Sequence, residues 1–349
     1  MTRFRLVRSS IFAFALVAAV ASRADRTSAR ESSGTIPARS FEFTYQVHVP
    51  ANADPAGPTH LWIPLPQADG YQDIRNLHID SPVSYTPGRE AEYGNTFVAF
   101  TPKPQQSATG FDVLLRFTAL RREHKVALDR ATLQVSASAS RSPNLQRYLE
   151  PDKLVPLNGT IAELAKEHTA GDTTPIQKAR HIYDYVLATM RYDKSGEGWG
   201  RGDAVWACTS KRGNCTDFHS LFIGMMRSSG IPARFEIGFP LPEGKTEGDI
   251  PGYHCWAEFY LDGVGWVPVD ASEAWKNPAK RDFFFGAHDT NRVFFTYGRD
   301  IRLSSDQKGD PLNYFIYPYA ETNGQPVKNL QTHFSFRDIS AAQLAAAGR

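Results

Sequence analysis

Three residue types suited to nucleophilic acyl chemistry occur in order along this chain: Cys215, His254 and Asp270. Cys215 stands near the start of K-R-G-N-C-T-D-F-H-S-L-F-I-G-M-M-R-S-S-G-I-P, where Phe218, Leu221, Phe222, Met225 and Met226 recur at helical spacing. Gly213 loosens the chain before the cysteine, and Gly230 with Pro232 stops the pattern. The cysteine is therefore expected at a helix N-terminus, where unpaired backbone N–H groups favour thiolate over thiol. A nucleophilic thiolate needs a base, and the base needs a group to orient it. Downstream, Y-H-C-W-A-E-F-Y-L and G-V-G-W-V-P-V-D flank Asp262-Gly263 and predict a β-hairpin. His254 opens its first strand and Asp270 closes its second, so antiparallel pairing sets them side by side. The aspartate then accepts one imidazole N–H and turns the other nitrogen toward sulfur. Each residue also has a plainer role open to it: a buried or disulfide-bonded cysteine, a strand histidine, a helix-capping aspartate.

The blocks G-N-C-T-D-F with S-S-G-I-P-A-R, H-C-W-A-E-F-Y and G-W-V-P-V-D, in this order, resemble the transglutaminase-like superfamily, of papain-like fold, over about residues 175 to 275. The resemblance implies Cys215, His254 and Asp270 as a catalytic triad. It permits both hydrolysis and acyl transfer through a thioester; an exported cysteine-dependent amide hydrolase, a peptidase or amidase acting on a peptide or protein amide, leads because water is the acceptor always present. Acyl transfer to an amine (a transglutaminase), amide removal from a glycoprotein, and a non-catalytic binding module of the same shape stay open beside it. The departure is Cys255, where family members often carry alanine.

These residues need elements to hold them. Between residues 37 and 130, F-E-F-T-Y-Q-V-H-V, H-L-W-I-P-L-P, N-T-F-V-A-F and F-D-V-L-L-R-F-T-A-L alternate with Gly, Pro and Asn, the rhythm of a β-sandwich. Residues 131–156, with S-A-S-A-S-R-S-P, lack periodicity and are expected as a linker. Residues 157–340 form the expected catalytic domain. Its helices begin at two capping boxes, Thr160 with Glu163 and Thr174 with Gln177, the second with Pro175 at the first helical position. Ile176, Ala179, Ile182, Tyr183, Val186, Leu187 and Met190 give that second helix one apolar face. Residues 191–209 form a glycine-rich entry loop in which Trp199 and Trp206 are expected mainly to pack, with a substrate wall or an indole N–H given to an oxyanion as the other role open to either. Residues 241–252 are expected as a mobile loop at one lip of a cleft. The aromatic runs after Asp270 are expected to continue the catalytic sheet. The fold class is thus α+β: an N-terminal β-sandwich, then helices packed on an antiparallel sheet.

Arg3, Arg5 and Arg8 precede an apolar run, Ile11 to Ala21, and small residues follow. Residues 1–24 therefore match a signal peptide, with 25–36 a disordered lead-in, which places the mature protein in the periplasm or outside the cell without stable membrane insertion. A glycan on the acceptor pattern Asn214-Cys-Thr216 would obstruct the nucleophile, which favours a bacterial exported type. The 349 residues carry 39 Lys and Arg against 37 Asp and Glu, a net charge of +2, and give no basic field for nucleic acid. No metal-ligand or phosphate-loop spacing occurs, so no cofactor or metal is implied, and Asp217 and His219 are expected to be structural. Three cysteines leave at least one free thiol. Strand alternation points Cys255 away from His254, and a Cys208–Cys255 bridge or free thiols at both are open.

Overall fold

The computed structural model describes residues 36–52, 57–128 and 143–346. The signal peptide and nearly all of the lead-in expected from the sequence lie outside the described residues. So does the first part of the expected linker. The described residues from Ile36 onward form one compact unit.

Strands β1 (Ala38–Val49), β2 (Thr59–Pro64), β3 (Gln72–Asp80), β4 (Tyr85–Arg89) and β5 (Thr96–Phe100) precede a short helix α1 (Pro104–Thr109), then β6 (Phe111–Arg122) and β7 (His124–Lys125). Alternation is clean in β1, whose Phe41, Phe43, Tyr45, Val47 and Val49 are all buried. The next stretch is helical: α2 (Pro143–Gln146), α3 (Thr160–His168), α4 (Pro175–Thr189) and, between the two-residue strands β8 (Arg191–Tyr192) and β9 (Arg212–Gly213), α5 (Ala204–Ser210). Helix α6 (Cys215–Ser228) follows. Then come β10 (Ala233–Pro240), β11 (Glu247–Asp249), β12 (His254–Leu261), β13 (Gly265–Val269), α7 (Ala271–Lys276), β14 (Ala287–His288) and β15 (Arg292–Tyr297). The last elements are β16 (Tyr319–Thr322), β17 (Gln325–Pro326), β18 (Gln331–Asp338) and α8 (Ala341–Ala346).

The fold is α+β. Its central four-stranded antiparallel sheet runs β13-β12-β10-β15 and carries α6 against β12 and β10. Two five-stranded antiparallel sheets, β11-β18-β1-β6-β3 and β17-β16-β2-β5-β4, form the N-terminal part. The sequence expectation placed the last two aromatic runs in the catalytic sheet, and the pairing corrects this. β16 joins β2, with Tyr319 opposite Trp62, and β18 joins β1, with Phe336 opposite Phe43. Burial explains the choice. Phe334 and Phe336 alternate inward on β18, and Phe334 packs 4.6 Å from Tyr45 and 4.3 Å from Phe239. Only β15 extends the central sheet as expected.

The loop at 241–252 also differs from the mobile lip read from its glycines. Its β11 pairs with β18, and Ile250, buried, donates its N–H to Phe334 O at 2.9 Å. Residues 145–156 of the expected linker likewise hold packed side chains. Val155 is fully buried, and Asp152 meets Arg227 at 2.8 Å and Arg147 at 2.6 Å.

Among the helices, α4 starts as its sequence predicts. Thr174 caps it in a capping box with Gln177, and Pro175 is its first residue. Helix α3 starts at Thr160, the residue predicted to cap it, so the cap falls one residue earlier: Gly159, at φ 54°, takes that position and accepts the first bond from Glu163 N–H.

Candidate active site

Helix α6 begins at Cys215 itself. Asn214 caps it, accepting from Thr216 N–H at 2.9 Å, and Asp217 reaches back to Asn214 N–H at 2.9 Å. The Asp217 carboxylate also accepts from Gly200 N–H (2.7 Å) and Gly202 N–H (3.0 Å). One buried carboxylate thus ties the glycine-rich loop to the nucleophile's helix. His219 is a second brace, as its position on the helix suggested. Its Nδ1–H donates to Cys215 O at 2.7 Å, and its Nε2 accepts from Ala271 N–H at 3.1 Å. That fastens the first turn of α6 to the first residue of α7.

The hairpin forms as predicted, with β12 and β13 joined through Asp262, Gly263 and Val264 and with Gly263 at φ 73°. His254 is the first residue of β12, and Asp270 directly follows β13. Their side chains meet at 2.7 Å, His254 Nε2–H donating to Asp270 Oδ2. This leaves Nδ1 for Cys215. The capping role weighed for Asp270 is real as well: its Oδ1 accepts from Glu273 N–H at 3.0 Å and starts α7. Both functions coexist because the carboxylate has two oxygens.

The sequence thus brings Cys215, His254 and Asp270 to one place, with 2%, 5% and 0% of their surface exposed. Burial works against a thiolate at Cys215. Hydrogen bonds from the Cys255 thiol, from His254 and from the Cys255 backbone N–H outweigh it and hold the Cys215 pKa well below the ordinary thiol value. Burial also opposes charge on His254, yet the Asp270 charge and hydrogen bond, joined by Cys215, raise it to about 10. Asp270 is held well below the carboxylate range against its own burial, chiefly by His254, then by Arg292 and His219. Both shifts favour the thiolate–imidazolium form of the pair.

Two contributors escape a sequence reading. Arg292 Nη1 lies 3.0 Å from Asp270 Oδ2, and the residue sits at the head of an aromatic strand with no motif around it. Cys255 is the second. Its sulfur faces α6, 3.7 Å from Thr216 Oγ1 and 3.8 Å from His219 Nδ1. Alternation had pointed it away from the site. It does face the opposite side from His254 and Trp256, whose rings lie 5.7 Å apart, but that opposite side is the one that carries α6 and Cys215. Cys208 donates to Val205 O, and all three cysteines are free thiols, so no Cys208–Cys255 bridge exists. Of the two tryptophans, Trp199 gives its indole N–H to Gly196 O at 3.1 Å, while Trp206 packs against Gly198. Phenols wall the site: Tyr253 accepts from Asn214 Nδ2 at 2.9 Å and stacks toward Tyr314 and Tyr317.

A helix-borne cysteine facing a strand-borne histidine and its aspartate defines a protein of the cysteine-centred papain-like type. Residues 162–271 match the sequence model of the transglutaminase-like superfamily, so the core that carries the site is transglutaminase-like. An uncharacterized protein of Haemophilus influenzae is 29% identical over 334 residues, covering 83% of this chain and 87% of that one. The Bacillus subtilis uncharacterized protein YebA is 26% identical over 155 residues, covering 39% of this chain and 21% of that one. Among solved structures, a candidate cysteine protease from Cytophaga hutchinsonii superposes with a TM-score of 0.61 at 16% identity, covering 87% of this chain and 92% of that one. That likeness is one of fold.

Proposed function

We propose that the protein is a cysteine-dependent amide hydrolase acting on a peptide or protein amide. The observation that carries this reading is Cys215 at the start of α6, its pKa held below the ordinary thiol value, beside a His254 held at 2.7 Å by Asp270. Cys215 Sγ adds to the amide carbonyl carbon, and the oxyanion forms near the Cys215 backbone N–H, a first-turn donor with no intrahelical partner. His254 gives its proton to the leaving nitrogen, the C–N bond breaks, and a thioester remains. Water then adds to the thioester carbon as His254 takes its proton. The C–S bond breaks, and acid and thiolate are released. Water is the acceptor present in every compartment. The N-terminal pattern of arginines, apolar run and small residues supports placing this chemistry outside the cytoplasm.

The test is turnover of a fluorogenic peptide or protein amide library by the parent and by Cys215→Ala. The variant should lose on the order of 1,000-fold or more in kcat/KM. Full activity in Cys215→Ala sinks the proposal. Incorporation of a fluorescent primary amine at the expense of hydrolysis would replace water by an amine as the acceptor.

A further inference from the structure

Apart from the triad, a second group of chemistry-bearing side chains is buried in the same protein. Glu258 lies on β12 four residues beyond His254, on the same face of the strand. β14 pairs with β7 so that His288 stands directly opposite His124, which puts both imidazoles on one side of that ribbon. Gly286 N–H binds Pro268 O at 2.8 Å, and Pro268 is the register partner of Glu258. Residues 124, 258 and 288 therefore converge. One ligand atom from each lies within 4.8 Å of the others, and His124 Nδ1 is 3.2 Å from Glu258 Oε1.

His288 is the anomaly. It is 0% exposed, and neither ring nitrogen has a hydrogen-bond partner among the described residues. Neutral imidazole presents one N–H and one lone pair, and burying both unpaired is unfavourable. Its ring neighbours, Trp256 at 5.7 Å and His124 at 6.3 Å, hold its plane without satisfying its nitrogens. Other histidines show the ordinary arrangement: His48 and His181 each meet an aspartate, and His219 uses both nitrogens.

We propose that His124, Glu258 and His288 bind a divalent transition-metal cation, with Zn2+ the best match, which clamps the β7–β14 ribbon to β12. Two imidazoles and a carboxylate form a donor set of the borderline hardness that Zn2+ prefers. Glu258 keeps Oε1 for the ion because Oε2 is engaged by Arg234. Ligand atoms about 2.1 Å from a shared ion are at most about 4.2 Å apart, so side-chain rotation suffices to close the group. The guanidiniums nearby are each set against a carboxylate, which offsets their charge toward a cation. Arg234 faces Glu236 and Glu258, Arg292 faces Asp270 and Asp289, and Arg121 faces Asp69. The ion is buried and takes no part in the proposed hydrolysis.

Zinc content and calorimetric titration of chelator-stripped protein test this, on a Cys215→Ser background so that the thiolate–imidazole pair does not compete. One Zn2+ should bind per chain, raise the melting temperature, and be replaceable by Co2+ with visible ligand-field bands but no sulfur charge transfer. His288→Leu should lose on the order of 100-fold or more in affinity, together with the melting shift. Because the His288 nitrogens bond to no described residue, the unloaded variant should melt at or above the unloaded parent. No zinc uptake by the stripped parent, a sulfur band in its Co2+ spectrum, or unchanged affinity in His288→Leu overturns the proposal. Should His288→Leu fail to fold, the parent titration and His124→Gln decide in the same way. Neither result bears on amide hydrolysis, which is read separately.

Discussion

Asp270 does two jobs with two oxygens, and substitutions separate them. Asp270→Asn keeps an oxygen to cap α7 but removes the charge that raises His254 to about 10. The alkaline limb of kcat/KM, where the imidazolium loses its proton, should then move from about 10 down toward the ordinary histidine value of about 6.5. A pH profile of the two proteins checks this, and an unmoved limb refutes it. Stability follows the same signs. Since the folded His254 pKa is raised, its contribution is full below about 6.5 and is lost as pH rises through about 10. Since Asp270 is depressed, its contribution is present above about 3.9 and is lost as pH falls below that. Cys255 gives a second prediction: its thiol is the strongest of the groups lowering the Cys215 pKa. Cys255→Ala should raise that pKa part of the way, since His254 and the Cys255 backbone N–H remain, and iodoacetamide labelling of Cys215 at mildly acidic pH should slow. At this scale the convergence of Cys215, His254 and Asp270 was legible because each lies in a local pattern that fixes its element. Arg292 and the cluster of His124, Glu258 and His288 were not, because tertiary pairing alone joins residues so far apart in sequence.

Elements were legible where local chemistry decides them. The cap and apolar face of α6, the Thr174 capping box and the Asp-Gly hairpin all form, since side chains within a few residues satisfy the backbone there. Strand β11 was invisible, because its three residues are a strand only through β18. Two elements depend on contacts that a substitution exposes. Asp217 accepts from the backbone of Gly200, Gly202 and Asn214, so Asp217→Ala leaves three inward-facing donors unpaired. It should lower stability by about 2–4 kcal/mol, measured by urea denaturation, and slow turnover as the glycine-rich loop loosens. Gly238 marks the irregular register between β10 and β15, and a Cβ there would stand 1.8 Å from Val293 O. Gly238→Ala must push those strands apart beside His254, the register partner of Gly238. Reduced soluble expression and an earlier thermal transition are expected, whereas an unchanged melting temperature would contradict the pairing.

Strands from near both ends of the described residues pair in one sheet. β1 is flanked by β6 from its own neighbourhood and by β18 from nearly three hundred residues away. The same apolar core joins the N-terminal sheets to the central one: Phe43 lies 5.3 Å from Phe239 and 5.9 Å from Phe295. Gln72 on β3 makes a reciprocal pair with the Phe294 backbone, donating at 2.9 Å and accepting at 2.8 Å. Arg39 spans Asp338 at 2.9 Å and Asn291 at 2.8 Å. Sequence rhythm told strands from helices here but not their partners, because any alternating aromatic strand can complete either sheet. With strands and core shared in this way, the N-terminal sheets have no complete set of contacts without the last hundred residues. Unfolding of the protein should therefore be a single transition in denaturant, with tryptophan fluorescence and far-ultraviolet circular dichroism coincident. A chain ending at Pro326 leaves Phe43 and Tyr45 without β18 and should be insoluble or molten, with amide activity lost although Cys215, His254 and Asp270 are all retained. Two resolved transitions, or a folded and active truncated chain, would show instead that the sheets are independent of the core that holds the triad.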